Sequence, residues 1–359
     1  MSLGMSRRRA LLGAAALPAA HLAAAGLARP AIAQAPSGEV TFAGYSGIFQ
    51  DHYMAAVVNP FMQKFPAIKI NYFPSANSAQ TLGNLRAQRA SPKIDVSIMD
   101  VSVQKAGNEE GLFSKLDPAL VRNLGEINPL GAPTHEGMGP AVTFDHFVML
   151  YNKEQVTPAP TKWADLWDAR FKGQIALYAT PDIQGLAMTI LMTKAQGGDY
   201  KQSIDPAIRR LRELSPSVQT WNPNPDSYTL VINGTAKVAC GWNARGQIYS
   251  DQSQGKLGVL LPEDGTVFQI NTINATAGSS RMAAAQTFLN YAIGAEAQKA
   301  FTERMFYAPV NATAQISPAA LARTAASPEN MARVVPVDWG FVAANRERWN
   351  ERWRREVIR

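Results

Sequence analysis

Strands and helices alternate in the early part of the chain, and this rhythm constrains the fold more than any other feature. Residues 39–43, 69–73 and 94–99 predict three strands. A helix over 50–65, whose apolar side chains recur at helical spacing, and a second helix over 78–90 separate them. Such alternation predicts βαβ units, an α/β fold and a mainly parallel sheet.

An apolar segment at 141–151 is longer than a typical strand, so it predicts an extended segment that crosses between two lobes. Beyond it the alternation of strands and helices restarts. The remaining predicted strands are 174–179, 237–242, 257–261 and 266–273, and the helices are 163–168, 184–195, 206–214, 280–293, 295–305, 318–324 and 339 to the end. The last helix carries an aromatic stripe that predicts docking against the core, with a partner-binding or membrane-surface helix as the alternative.

Residues 1–33 have the three-part composition of an export signal. Three arginines at 7–9 form a positive head, an apolar stretch follows over 10–27, and Ala-Ile-Ala at 31–33 supplies a small-x-small cleavage pattern. Residues 6–12 resemble the twin-arginine signal, although Ala10 stands where that pattern prefers Phe, so an ordinary Sec signal is the alternative. We expect cleavage after Ala33 and a periplasmic protein.

Charge and cysteine content narrow the function classes. The net charge is +7, but the signal contributes four arginines and no acid, so the remaining 326 residues carry about +3. No run of basic residues interleaves with aromatics, so nucleic acid is not an expected partner. Cys240 is the only cysteine, which excludes an internal disulfide, and its apolar surroundings predict an inert buried thiol.

The sequence carries no recognisable catalytic constellation. His52, His135 and His146 have no Cys, His or carboxylate at metal-ligand spacing, and zinc-protease, Walker, nucleophile-elbow and dinucleotide-binding motifs are absent. The turn at 44–47 follows a strand and precedes a helix, which suits either an anion at a helix N-terminus or a purely structural role. We therefore expect no enzyme, no cofactor and no metal.

Several segments resemble bacterial extracellular solute-binding proteins. Residues 161–177, TKWADLWDARFKGQIAL, are similar to the family segment SWADLWDPKFKGKVAL, and Tyr-Asn at 151–152 resembles the pair that precedes it. Residues 234–243 resemble the family segment GEVDVAIGWNG. Weaker similarities lie at 42–47, 95–100, 338–339 and 349–353. The chain is identified as similar to the periplasmic spermidine/putrescine-binding group of ABC importers.

This resemblance implies a type II periplasmic-binding fold with two α/β lobes joined by hinge strands. The expected lobes are residues 38–145 with 243–279, and residues 146–242 with 280–359. The family binds a small ligand between its lobes, closes around it and docks on a membrane permease. We expect the same of this chain, acting as a monomer. The tryptophans of the 161–177 segment are expected to pack inward rather than to contact ligand.

Ligands of open α/β sheets lie beyond the carboxyl ends of strands. The residues that follow the predicted strands, lie on a crossing strand or follow a late helix are therefore the candidate ligand-binding residues. They are Tyr45, Ser46, Asp100, Ser102, Thr180, Asp182, Trp242, Asn243, Arg245, Gln269, Asn271 and Tyr307.

The resemblance to polyamine binders is incomplete at the expected acids. Trp242 matches the family tryptophan and Asp182 matches one carboxylate, but Gly185 and Ala244 stand where two further acids are expected. Arg245 adds a cation that could hold a carboxylate or phosphonate. The ligand could thus be a polyamine-like amine, an amino-acid-like zwitterion or a small organic anion. A ferric-ion or chemosensory binding protein of the same fold is the alternative function.

Overall fold

The computed structural model describes residues 36–131 and 138–358, so the predicted export signal over 1–33 lies outside the described residues. A nine-stranded sheet flanked by helices runs through this part of the chain. Its strands are β1 (Gly38–Tyr45), β2 (Ile68–Ser75), β3 (Val96–Asp100), β4 (Ala141–Asn152), β5 (Ile175–Ala176), β6 (Val218–Thr220), β7 (Val238–Trp242), β8 (Leu257–Leu260) and β9 (Phe268–Ala275). Their order is β2-β1-β3-β9-β4-β7-β5-β6, with β8 also paired to β4.

The helices cover both faces of the sheet, as the α/β prediction requires. They are α1 (Ile48–Tyr53), α2 (Asn59–Lys64), α3 (Ser78–Ala87), α4 (Val101–Glu109), α5 (Ile183–Ala195), α6 (Asp205–Leu214), α7 (Ser227–Ile232), α8 (Asn243–Gln252), α9 (Met282–Ala292), α10 (Ala295–Met305), α11 (Pro318–Leu321), α12 (Pro328–Met331) and α13 (Trp339–Glu356). A π-helical turn over Met54–Val58 joins α1 to α2. No helix within the described residues combines the length and the apolar character that crossing a membrane would need.

The sheet is mixed rather than mainly parallel. The pairs β1–β2, β1–β3, β5–β6 and β5–β7 are parallel, as the βαβ pattern predicts. Every antiparallel pair involves β4 or β9, the two strands that cross the middle of the sheet. The alternation of strands and helices therefore predicted the parallel pairing in the two outer parts of the sheet. It did not predict the antiparallel pairing of the crossing strands β4 and β9.

Strand β4 is the long crossing segment predicted from its length. Its first half, residues 141–146, pairs with β9. Its second half, residues 147–152, pairs with β7 and β8. All but one of its side chains are buried, because helices cover both faces of the sheet here.

Two large hydrophobic cores lie on either side of this crossing. The first surrounds β1, β2 and β3 and includes the aromatic rings of Phe42, Phe49 and Phe61. The second surrounds β5 and β7 and includes Trp163 and Trp353. Burying aromatic rings of this size contributes on the order of 2–3 kcal/mol each, so both cores are substantial.

The side chains of α9 and α10 pack in the first core, although the sequence assigned residues 280–359 to the second lobe. Residues of α13 pack in the second core as expected. Contacts group the described residues from Pro36 onward into one compact unit. The division into two lobes therefore stays a prediction. Residues 282–310 pack with the first core, which surrounds β1, β2 and β3.

The two tryptophan-bearing segments pack inward as predicted. Trp163 lies in a 3₁₀ turn rather than an α-helix, stacks on Phe147 at 4.9 Å and donates its indole N–H to the Gly265 carbonyl at 2.8 Å. In α13, Trp353 is fully buried and donates to Thr189 Oγ1 at 2.9 Å. These contacts fix both segments to the second core.

Candidate functional site

A cleft of about 1140 Å³ lies where the carboxyl ends of β1, β3 and β7 meet the N-termini of α3, α4, α5 and α8. This is the position that open α/β sheets offer to ligands. Side chains of both hydrophobic cores reach its walls, so the cleft lies between the two parts of the sheet.

The structure brings most of the predicted site residues together in this cleft. Those that line it are Tyr45, Asp100, Ser102, Thr180, Asp182, Trp242, Arg245, Gln269 and Tyr307. Three others do not: Ser46 is exposed outside the cleft, and Asn243 and Asn271 are buried behind its wall. Lining the cleft is compatible with ligand binding, which remains a prediction for each residue.

The two buried asparagines have structural partners instead. Asn243 donates to the carbonyl of Arg323 at 2.8 Å and accepts from Gln247 Nε2 at 2.9 Å, so it ties α8 to the chain after α11. Asn271 accepts from the hydroxyl of Tyr45 at 2.8 Å and donates to Thr143 Oγ1 at 2.9 Å. Asn271 therefore orients a cleft tyrosine rather than reaching the cleft itself.

Tyr45 is held rigidly at the end of β1. Its hydroxyl lies 2.8 Å from Ser78 Oγ as well as from Asn271 Oδ1, and burial beside the Asp100 carboxylate raises its pKa. The phenol is therefore neutral across the physiological pH range. It offers the cleft an aromatic edge and a polar oxygen but no charge.

Two cleft carboxylates also cap helices. Asp100 Oδ1 accepts from the backbone N–H of Ser102 at 2.9 Å at the start of α4. Asp182 Oδ1 accepts from the N–H of Gln184 at 2.8 Å at the start of α5. Burial raises the pKa of Asp100, whereas its hydrogen bonds and the charge of Arg346 oppose that rise. One oxygen of each carboxylate is thus committed to its helix.

Arg245 lies on the first turn of α8 with its side chain exposed in the cleft. Within residues 36–131 and 138–358 its guanidinium forms no hydrogen bond or ion pair. The neighbouring wall is aromatic, because Trp242 and Tyr307 both face the cleft. A planar cation with five free donors suits a carboxylate or phosphate oxygen pair.

Asp145 is a cleft residue that the sequence did not single out. It lies on β4 with 1% of its surface exposed, and its Oδ1 accepts from the N–H groups of His146 at 2.8 Å and Ala244 at 3.1 Å. Its Oδ2 is buried without a partner. The signal that could have found it is the single acid in the mostly apolar segment 141–151, because burying a carboxylate is costly unless it is paired or hydrogen-bonded.

Arg346 and Tyr178 also reach the cleft from segments that were predicted to be structural. Arg346 projects from α13 and donates to the carbonyl of Pro181, and Tyr178 accepts from the N–H of Ser227 at 3.2 Å. The hydroxyl of Thr180 beside them is buried without a partner. No sequence signal marks Arg346, because α13 carries several arginines and only tertiary packing selects one.

Close packing explains the absence of acids at both of the family positions. A Cβ atom on Gly185 would lie 2.5 Å from backbone atoms of Ala179 and Thr180, so α5 can only approach this loop closely with glycine there. Ala244 is fully buried, with its N–H bound to Asp145. A longer side chain at 244 would have to displace the core around it.

Neither metal nor thiol chemistry finds support in this cleft. No group of three or more His, Cys, Asp or Glu side chains in the described part of the chain is arranged to hold a metal ion. Cys240 is buried, and burial raises the pKa of its thiol. The thiol is therefore unreactive, as its sequence surroundings predicted.

Comparison with known proteins gives consistent matches over most of the chain. A family described as bacterial extracellular solute-binding protein matches residues 56–332. The gamma-aminobutyric acid-binding protein of Pseudomonas aeruginosa is 26% identical over 303 residues, which cover 80% of this chain and 81% of that protein. The spermidine/putrescine-binding periplasmic protein of Escherichia coli is 22% identical over 214 residues, which cover 58% of this chain and 60% of that protein.

A solved structure shares the fold. An ABC transporter protein from Clostridium perfringens superposes with a TM-score of 0.71 at 24% sequence identity, covering 89% of this chain and 99% of that chain. At this identity the likeness concerns the arrangement of the strands and helices. It agrees with the α/β architecture.

Proposed function

Because the chain belongs to the bacterial extracellular solute-binding proteins, we propose that it captures a small amino-acid-like zwitterion in its cleft and delivers it to the permease of an ABC importer. In this proposal the two parts of the sheet close on the ligand about β4 and β9. The closed form then docks on the membrane subunits.

The observation that carries the ligand class is the charge arrangement of the cleft. Arg245 offers a cation without a partner among the described residues, while Asp100, Asp145 and Asp182 line the same space. A long polyamine would meet Arg245 as a like charge, and a simple anion would face the carboxylates. A ligand with one carboxylate and one ammonium group satisfies both signs.

The relatives support this choice without deciding it. One binds gamma-aminobutyric acid and another binds spermidine or putrescine, and both ligands carry amines. The match to the first extends over more of the chain than the match to the second. The carboxylate of an amino-acid ligand also suits Arg245, which lies next to a position where polyamine binders carry an acid and this chain has Ala244.

The proposal includes export. Residues 1–33 would act as a cleaved signal of the twin-arginine or Sec type, and the mature chain would work in the periplasm as a monomer. Replacing the arginine pair Arg7 and Arg8 by lysines would separate the two routes, because twin-arginine export depends on that pair. Accumulation of the uncleaved chain in the cytoplasm would support the twin-arginine route.

Isothermal titration calorimetry of the purified protein with a matched set of ligands tests the ligand class. 4-Aminobutyrate carries both charges, and butyrate carries only the anion. Butylamine carries one cation and putrescine carries two. We expect 4-aminobutyrate to bind tightest, and at 100 times its Kd to raise the free energy of unfolding by about 2.7 kcal/mol. Tightest binding of putrescine would overturn the zwitterion assignment.

A further inference from the structure

We infer that Asp145 is the carboxylate that binds the ligand's ammonium group, and that it releases a proton as the ligand enters. This inference rests on the proposed zwitterionic ligand and assigns one end of it to a residue. Arg245, one residue beyond the N–H that holds Asp145, would bind the other end.

The geometry of Asp145 leaves one oxygen available for a cation. Its Oδ1 accepts two backbone N–H groups, from His146 and Ala244, which fixes the plane of the carboxylate. Its Oδ2 has no hydrogen-bond partner, although the residue is 99% buried and borders the cleft. An unpaired buried carboxylate oxygen is costly, so a cationic partner that arrives with the ligand would remove that cost.

The other cleft carboxylates are less suited to this role. Asp100 uses one oxygen for the N–H and hydroxyl of Ser102, and the other lies 3.5 Å from Gln269 Nε2. Asp182 uses one oxygen to cap α5, and its surface is more exposed than that of Asp145. Asp145 combines burial with a vacant oxygen, and both strengthen attraction to an ammonium group.

Access to this oxygen requires a side chain to move. Oδ2 has no contact with solvent in this structure, whereas the neighbouring Arg245 side chain is exposed and forms no hydrogen bond with the described residues. Reorientation of Arg245 toward the ligand carboxylate would open the path for the ammonium group. The walls of that path include Trp242 and Tyr307, whose ring faces attract cations.

The proton release follows from the surroundings of Asp145. Burial raises the pKa of its carboxyl to about 7, and the hydrogen bonds from the backbone N–H groups of Ala244 and His146, followed by the charge of Arg245, oppose the rise. The hydroxyls of Tyr228 and Tyr307 also face it, and burial raises the pKa of both, so they stay neutral. Burial lowers the pKa of adjacent His146 to about 3, so this imidazole is neutral as well. Without ligand, the Asp145 carboxyl is therefore partly protonated at neutral pH, and an arriving ammonium group displaces the proton.

Titration calorimetry with 4-aminobutyrate in two buffers of different protonation enthalpy measures this proton directly. We expect net release at pH 7, and an affinity that rises roughly tenfold between pH 6 and pH 8, because only the ionised carboxyl is competent to bind. Net uptake would mean that the ligand carboxylate, not its ammonium group, lies beside Asp145. That result, or an affinity that does not change with pH, would overturn the inference.

The variant Asp145→Asn, tested with 4-aminobutyrate and with butyrate as a second probe, isolates the contribution of Asp145 to binding of the ammonium group. We expect this variant to lose about 10–100-fold in affinity for 4-aminobutyrate and to lose the proton release, while butyrate binds as in the parent protein. Glu329→Gln, at an exposed surface carboxylate outside the cleft, is the matched control. Equal losses for both probes would assign Asp145 a structural role and overturn the inference.

The failures of the two proposals are distinguishable. If the parent protein binds 4-aminobutyrate but Asp145→Asn leaves affinity and proton release unchanged, the zwitterionic ligand stands and the Asp145 assignment is wrong. If no probe with an ammonium and a carboxylate group binds the parent protein, both are wrong. Thermal unfolding of each variant confirms that the comparison is made on folded protein.

Discussion

Arg245 is the residue at which the proposed ligand class is easiest to disprove. Arg245→Gln removes the cation while keeping most of the side-chain length, so we expect 10–100-fold weaker binding of 4-aminobutyrate. Hydrogen bonds to charged groups contribute about 1.5–3 kcal/mol, which corresponds to this loss. The free energy of unfolding should hardly change, because the guanidinium has no partner among the described residues. Titration calorimetry and urea unfolding measure both quantities.

Arg348→Gln is the control for that substitution, since Arg348 is exposed on α13 away from the cleft. It should bind 4-aminobutyrate as the parent protein does. If Arg245→Gln binds equally well, the carboxylate end of the ligand lies elsewhere. Arg346, the other arginine that lines the cleft, would then be the next residue to substitute.

Asp145 should also make the free energy of unfolding depend on pH in the absence of ligand. Burial raises the pKa of its carboxyl to about 7 in the folded protein, from an ordinary value near 4. Between these two values the folded protein binds more protons than the unfolded chain, so the free energy of unfolding falls as the pH rises. Asp145→Asn removes the titration, so its free energy of unfolding relative to the parent should rise by on the order of 3 kcal/mol from pH 5 to pH 8. Urea unfolding at both pH values measures this, and a constant difference would contradict the raised pKa.

At the residue scale, position at a strand end was enough to place three side chains at the cleft. Tyr45, Asp100 and Trp242 end their strands and line the cleft, and ligand binding by each of them stays a prediction. Asn243 satisfies the same rule and Asn271 lies on the crossing strand β9, but both turn away from the cleft. Asn243 donates to the carbonyl of Arg323, and Asn271 accepts from the hydroxyl of Tyr45. Which way a side chain turns at a strand end depends on partners far away in sequence, and no local pattern contains that information.

At the scale of elements, the approach of α5 to the loop after β5 sets one wall of the cleft. Gly185 lies at this contact, where a Cβ would meet the backbone of Ala179 and Thr180 at 2.5 Å. We expect Gly185→Ala to lower the free energy of unfolding by about 2–3 kcal/mol, because backbone atoms cannot yield as a flexible side chain would. Urea unfolding measures the change.

Gly83→Ala is the matched control, since Gly83 lies in α3 with open space where its Cβ would be. It should gain about 0.5–1 kcal/mol, because alanine loses less backbone freedom than glycine on forming a helix. A stabilising effect of Gly185→Ala similar to that of Gly83→Ala would show that α5 does not pack closely on this loop.

A helix with a clear apolar period is readily predicted, whereas one held by small residues is not. Helices α6 and α10 match their predicted ranges to within one residue at each end. Helix α8 was not predicted, because it packs through the small residues Ala244 and Gly246 rather than through a stripe of large apolar side chains. A Cβ on Gly246 would lie 3.2 Å from the Val259 side chain, so close approach holds this helix in place.

At the scale of the whole molecule, we expect the proposed closure to take place about β4 and β9. They are the crossing strands between the two cores, and the cleft lies beside them. The length of the 141–151 segment was sufficient to predict a crossing. The return of α9 and α10 to the first core was not predictable, because chain order does not reveal which core an apolar helix will cover.

Closure on ligand is therefore testable as a distance between the two cores. Ala87→Cys on α3 and Arg209→Cys on α6 place spin labels at exposed positions on opposite sides of the cleft. Native Cys240 should not react with the label, because it is buried and burial raises the pKa of its thiol. We expect 4-aminobutyrate to shift the label–label distance distribution, measured by double electron–electron resonance, toward shorter values.

The same labels on an Arg245→Gln background link the motion to the site. A ligand shifts a conformational equilibrium only by its differential affinity for the two states, so weaker ligand contacts should require proportionally more ligand for the same shift. Butyrate at saturation should close the cleft less than 4-aminobutyrate, because it lacks the group that would reach Asp145. An unchanged distance distribution at saturating 4-aminobutyrate would mean that the molecule binds without closing, and β4 and β9 would then be rigid crossing strands rather than a hinge.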